Sequence, residues 1–133
     1  MPGRPQPQQI GTEDMTDHYQ VSKRMSQAVV HNGLVYIAGQ VADTRSGDLQ
    51  QQTREVLAKI DALLKEAGTD KTRLLSVSVF LPHIHDFDAM NVIYDHWVDG
   101  FPPPARACTE ARLADPDIRI EISAIGAMPG DAA

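Results

Sequence analysis

One cysteine, Cys108, is all that the chain contains, so an internal disulfide is excluded and nothing points to a stapled secreted scaffold. Basic charge is also in short supply. Twelve Lys and Arg stand against eighteen Asp and Glu, a net charge of −6, which argues against a nucleic-acid backbone or an anionic membrane surface as partner. The first nine residues carry Pro2, Pro5 and Pro7 among glutamines and lack the apolar stretch of a signal peptide or a membrane span. A Walker phosphate loop, a Gly-x-Gly-x-x-Gly turn, a zinc-finger spacing and a Gly-x-Ser-x-Gly elbow are all missing, as are internal repeats and low-complexity tracts. A cytoplasmic protein is the default expectation.

What is present is one domain's worth of chain: 133 residues, 42% apolar and 23% charged. Residues 1–20 read as a loosely packed tail, 21–129 as the folded domain and 130–133 as a frayed end. Ser26–His31, Asn32-Gly33 and Leu34–Gln40 form a hairpin signal, because Asn-Gly supplies the two positive φ angles of a type I′ turn. Asp48 caps a helix with Gln51 as its capping-box partner. Leu49, Thr53, Val56, Leu57, Ile60, Leu63, Leu64 and Ala67 then recur at helical steps until Gly68.

Leu74–Leu81 reads as an inner strand, and Asp86 caps a second helix with Phe87, Met90, Tyr94, Trp97 and Val98 on its inner face. Arg106–Leu113 and Ile118–Ile125 supply the last two strands, with an extra short strand expected near Val41. The order β-β-α-β-α-β-β implies an α+β fold, a mixed sheet with both helices on one face. Leu75, Val77 and Val79 are expected on the other face, leaving an apolar patch that favours self-association.

Arg106 stands out among the polar residues. It opens a strand directly behind Pro102, Pro103 and Pro104, a stiff approach that fixes where its side chain starts. A guanidinium held at a strand entrance suits a two-pronged grip on a carboxylate, or else it pairs with a surface acid such as Glu110 or Asp99. Cys108 shares its face, either as a small packing group or as a nucleophile. Glu121 lies on the polar side of the closing strand with Arg119 and Ser123. Were that strand to lie beside the Arg106 strand, Glu121 would reach the same pocket as an acid, base or water holder; the alternative is a cross-strand pair with a cation. His83-x-His85-Asp86 is a fragment of a metal site without a third convergent ligand, so no metal and no cofactor is expected. Asn91 offers an amide on the second helix, and Gly39-Gln40 a place for close backbone approach.

Taken in order, Ser26–Val30, Val35–Gln40, Gln52–Arg54, Val77–Leu81, Asp86–Asn91, Pro104–Cys108 and Ile120–Ala124 resemble the RidA/YjgF reactive-intermediate (enamine/imine) deaminase family from Val21 to Met128. The resemblance implies a chorismate-mutase-like α+β subunit in a homotrimer with a barrel-like core and clefts between subunits. It also implies cofactor-free hydrolysis of 2-imino acids to 2-keto acids and ammonia. By position, Arg106 matches the arginine that binds the substrate carboxylate and Glu121 the glutamate that orients the attacking water. Asn91, Cys108 and Gly39 match positions lining the cleft. Met25 and Ala38 stand where characterised members often carry tyrosine and serine, so two hydroxyls are replaced and the pocket is drier. Those replacements keep open a second reading, a trimer that binds small carboxylates without turning them over. Ribonuclease activity, sometimes attached to the family, is opposed by the acidic charge and the lack of a basic stripe.

Overall fold

Asn32 and Gly33 take φ angles of 52° and 78°, so the turn joining Ser26–His31 (β3) to Leu34–Gln40 (β4) has the two left-handed residues its sequence promised. The computed structural model describes residues 8–9 and 15–130. In chain order the remaining elements are Gln8–Gln9 (β1), Asp17–Val21 (β2), Leu49–Ala67 (α1), Leu74–Leu81 (β5), Phe87–Trp97 (α2), Ala105–Glu110 (β6) and Glu121–Ala127 (β7). The sheet runs β1-β2-β3-β4-β7-β5-β6, antiparallel except for β5 and β6. Parallel neighbours need a crossover, and α2 provides it.

Both helices form as their sequences dictate. Asp48 Oδ1 accepts the Gln51 N–H at 2.8 Å, and Gly68 ends α1 at a φ of 100° while its N–H returns to Leu64 and Lys65. The stripe Leu49, Thr53, Val56, Leu57, Ile60, Leu63, Leu64 and Ala67 is buried against β3, β4, β7 and α2. Ile60, Leu64, Leu81, Met90, Ile120 and Ile122 are almost wholly enclosed, each stabilising the fold by about 1.5–3 kcal/mol. The Trp97 indole N–H donates to Asp61 Oδ2 at 3.0 Å and ties the end of α2 to α1. Asp86 stands at the start of α2 but makes no capping bond; its carboxylate faces Arg119 Nη2 at 3.5 Å instead.

Several boundaries differ from the sequence expectations. The sheet begins earlier: Asp17–Val21 pairs with β3 although all of it but Val21 falls within the expected tail, and Tyr19 is buried. One apolar residue facing inward in a five-residue strand is too little pattern to read, because the pairing is supplied by β3. Of the rest of that tail, residues 1–7 and 10–14 lie outside the described residues, as do residues 131–133. No strand forms near Val41; Lys59 Nζ takes the Val41 carbonyl at 2.8 Å and the segment runs as a loop. β6 stops at Glu110 and β7 starts at Glu121, each shorter than expected.

Val77 and Val79 face the helices and are 1% exposed, so only Leu75, at 49%, is left outside. A shift in the β5–β7 register between Leu74 and Ser76 breaks the alternation and separates Leu75 from the two valines. The helix-free face is mixed rather than apolar. Val29, Tyr36, Ile125 and Ser76 lie in register across it, followed by Ser78, Ser123 and Phe80.

Candidate functional site

Phe87, Asn91 and Tyr94 recur at steps of four and three on α2, so one stripe of the helix faces β6. Arg106, second residue of β6, meets that stripe. Its Nη1 donates to Asn91 Oδ1 at 2.7 Å. Its guanidinium carbon lies 4.6 Å from the Tyr94 ring centre and 5.6 Å from that of Phe87. Ring faces and a neutral amide hold the cation without neutralising it. Among the described residues no carboxylate comes within 4 Å of Arg106, so neither Glu110 nor Asp99 is its partner. Glu110 instead accepts the Ile84 N–H at 2.9 Å. The guanidinium borders a groove of about 320 Å³ walled by Tyr94, Val98, Pro103 and Pro104, with Asn91 and Asp95 on its polar side.

Cys108 sits two residues further along the same face, partly buried against the core. Burial pushes its thiol up, and the charge of Arg106 only partly opposes this. The sulfur is therefore neutral near pH 7, as a packing residue is and an activated nucleophile is not. The Tyr94 hydroxyl is buried without a hydrogen-bond partner among the described residues, and burial raises the phenol as well.

Glu121 is placed differently from the expectation. β7 does not flank β6; β5 lies between them. Arg106 is in register with Val77 and Ala124 on the helix-covered face, whereas Glu121 is in register with Phe80 on the other. Its carboxylate lies over Gly39, where a Cβ would fall only 2.9 Å from Glu121 Cδ. A glycine there leaves room for the acid, which any side chain at that position would displace. Among the described residues no cation lies within 4 Å of Glu121, so the cross-strand ion pair does not form.

The chain thus gathers Arg106, Asn91 and Cys108 on one face of the sheet, and Glu121 and Gly39 on the other. The Ala38 carbonyl on β4 accepts from Gln40 Nε2 at 2.9 Å. Met25 lies in the turn between β2 and β3, where Ser22 N–H donates to its carbonyl at 2.8 Å, and its side chain is exposed. From β3 to β6 is four strand spacings, about 19 Å of sheet, so Met25 and Arg106 of the same chain cannot share a small ligand. Phe87 and Tyr94, read from sequence as core, are the walls of the arginine site. Their spacing to Asn91 was the available signal. His83 and His85 stack at 5.4 Å, and among the described residues no group of three or more His, Cys, Asp or Glu converges as a metal centre would require. A larger cleft of about 660 Å³, bordered by Pro82, His83, Arg112, Leu113 and Ile118, contains neither Arg106 nor Glu121.

The sheet order and the paired helices define an α+β domain that several known proteins share. The family described as Endoribonuclease L-PSP matches residues 15–128. A RutC family protein of Haemophilus ducreyi is 42% identical over 108 residues, which is 81% of this chain and 92% of that protein. The RutC family protein YoaB of Escherichia coli K12 is 36% identical over 79% of this chain and 91% of its own. Among solved structures, a member of the YjgF protein family from Neisseria meningitidis has a TM-score of 0.82 at 38% identity, covering 87% of this chain and 97% of that one. YyfA of Yersinia pestis, from the conserved Rid protein family, has a TM-score of 0.77 at 32% identity over 81% of this chain and 90% of that one. The chain belongs to the RidA/YjgF family.

Proposed function

We propose that the protein hydrolyses reactive 2-imino acids, reached by tautomerisation of the enamine forms, to 2-keto acids and ammonia. The observation that carries this reading is the state of Arg106: fixed by Asn91, flanked by two rings, and without a counter-ion among the described residues. A carboxylate from solution supplies the missing charge through two parallel hydrogen bonds. Water then adds to the imine carbon, its proton passing by way of Glu121 to the nitrogen, and collapse of the carbinolamine expels ammonia and leaves the carbonyl. An imine carbon is already electrophilic, so fixing the acid and placing one water suffices without a metal or a covalent intermediate.

Arg106 and Glu121 project from opposite faces, and Met25 lies at the far end of the sheet. The reading therefore needs the site to be completed between protomers, and a homotrimer with the helix-free sheet faces turned inward is the arrangement proposed. Tyr36, Leu75 and Ile125 on or beside that face give the association apolar surface. Among the described residues no helix is long and apolar enough to cross a membrane, and a cytoplasmic location is part of the proposal. The RNA cleavage named in the family's description is disfavoured by the net charge of −6.

The hydroxyls replaced at Met25 and Ala38 favour a second reading, a trimer that binds small carboxylates without turnover. One assay separates the two. Keto-acid release from freshly generated 2-iminobutanoate is followed for wild type, Arg106→Ala and Glu121→Gln. Turnover that falls by about a hundredfold or more in both variants supports the deaminase. Unchanged turnover in Arg106→Ala overturns it, and binding of 2-oxobutanoate with no turnover leaves the second reading.

A further inference from the structure

The groove beside Arg106 carries a second charge that the deaminase reading does not use. Asp95 follows Tyr94 on α2, is exposed, and lines the same space of about 320 Å³ as Arg106. Among the described residues it has no basic partner within 4 Å, and Arg106 has no acidic one. The two charges therefore share a groove without neutralising each other. The rest of the lining includes the ring of Tyr94, Val98 and the rigid pair Pro103-Pro104, which offer apolar contact and no competing charge. Both charges act on Tyr94: burial raises its phenol, Arg106 opposes that and Asp95 reinforces it, as expected of a ring flanked by the two.

An open cation and an open anion lining one small groove fit a ligand that carries both signs. We propose that this groove binds a dipolar small acid, its carboxylate on Arg106 and its positively charged nitrogen on Asp95. For the reaction above, and resting on that reading for its identity, the nitrogen is that of the protonated imine. An iminium ion is a better acceptor for water than the neutral imine, and a nearby carboxylate favours the protonated form. Asp95 is then a specificity residue that separates the imino acid from its keto-acid product. The product keeps the carboxylate but has lost the nitrogen, so its hold weakens as the reaction completes.

Calorimetric titration with three probes of matched skeleton tests the site: 2-aminobutanoate, which carries both charges, 2-oxobutanoate, which carries only the negative one, and 1-aminopropane, which carries only the positive one. Wild type is expected to bind 2-aminobutanoate about fivefold to tenfold more tightly than 2-oxobutanoate, the range for a charge-assisted contact at a partly exposed site. Asp95→Asn, a change at an exposed position, should erase that preference. Arg106→Ala should weaken both acids. Equal affinity for the two acids in wild type, an undiminished preference in Asp95→Asn, or 1-aminopropane binding as well as 2-aminobutanoate would overturn the proposal. Imine turnover measured in parallel separates the two ideas. A dipolar preference without turnover sinks the deaminase and keeps this site, whereas turnover without the preference does the reverse.

Discussion

Asn91 Oδ1 accepts a hydrogen bond from Arg106 Nη1 at 2.7 Å, so a neutral amide, not a carboxylate, orients the guanidinium. The distinction governs what the arginine can still do. A carboxylate at position 91 would fill the charge that a ligand is meant to fill, whereas the amide fixes direction and leaves the charge free.

Asn91→Asp is nearly isosteric and introduces that counter-ion. Its affinity for 2-oxobutanoate is expected to fall by about tenfold or more, with Asn91→Ala losing about threefold through looser positioning alone. Calorimetric titration of the three proteins checks the ranking. Wild-type affinity in Asn91→Asp would mean that the ligand's acid group binds elsewhere.

Gly39 and Glu121 form a comparable pair on the opposite face. A Cβ at position 39 would fall 2.9 Å from Glu121 Cδ and closer still to the carboxylate, so Gly39→Ala must push the acid aside. The acid is the free end of a flexible side chain and can swing away without disturbing the backbone. Unfolding free energy should change by less than about 1 kcal/mol, while imine turnover drops to the level of Glu121→Gln. Denaturant titration and the keto-acid assay, run on the same preparations, report the two effects separately. Full activity in Gly39→Ala would show that Glu121 does not act from the place it occupies.

The contrast between these two pairs shows what could be read in the residues and what could not. The Asn32-Gly33 hairpin, the stripe of α1 and the Asp48 cap are local: spacing and turn chemistry determine them within a few residues. The arginine at the strand entrance was legible for the same reason, since Pro102 to Pro104 act on the chain beside them. The place of Glu121 was not legible. It depends on β5 entering between β7 and β6, and strand order is decided by long-range pairing that no local pattern carries. β2 was missed because its pairing partner, not its own composition, makes it a strand. The faces of Val77 and Val79 followed from a register shift between Leu74 and Ser76 that alternation alone does not reveal.

A buried amide holds the loops in front of β7. The Gln52 side chain is 1% exposed, and its Nε2 donates toward the carbonyls of Arg45, Gly47 and Asp117 at 3.3, 3.1 and 3.0 Å. Its Oε1 accepts the Arg119 N–H at 2.9 Å, two residues before Glu121. Gln52→Leu preserves much of the volume but leaves these backbone groups without partners, and should lower unfolding free energy by about 3 kcal/mol. Urea titration gives the number, and amide exchange at Arg119 should quicken more than exchange within α1. A loss below about 1 kcal/mol would mean that water replaces the amide at little cost.

Cys108 gives the last prediction, because the direction of its shift separates a packing thiol from a reactive one. Burial raises it, with Arg106 opposing, so the folded protein disfavours the thiolate relative to the unfolded chain. The sign follows from linkage: below the ordinary thiol value of about 8.5 both states are neutral and the group contributes nothing that varies with pH. Above that value the unfolded chain ionises first, and stability falls as pH rises toward the folded value. Wild type should therefore lose stability between neutral and strongly alkaline pH more steeply than Cys108→Ala, and the two curves should run parallel below pH 8 or so. Iodoacetamide labelling of the native protein at pH 7 should be slower than that of a free thiol, and Cys108→Ala should retain imine turnover within about threefold. Rapid labelling at neutral pH, together with loss of turnover in Cys108→Ala, would make the sulfur a participant in the chemistry and remove the metal-free, water-only route from contention.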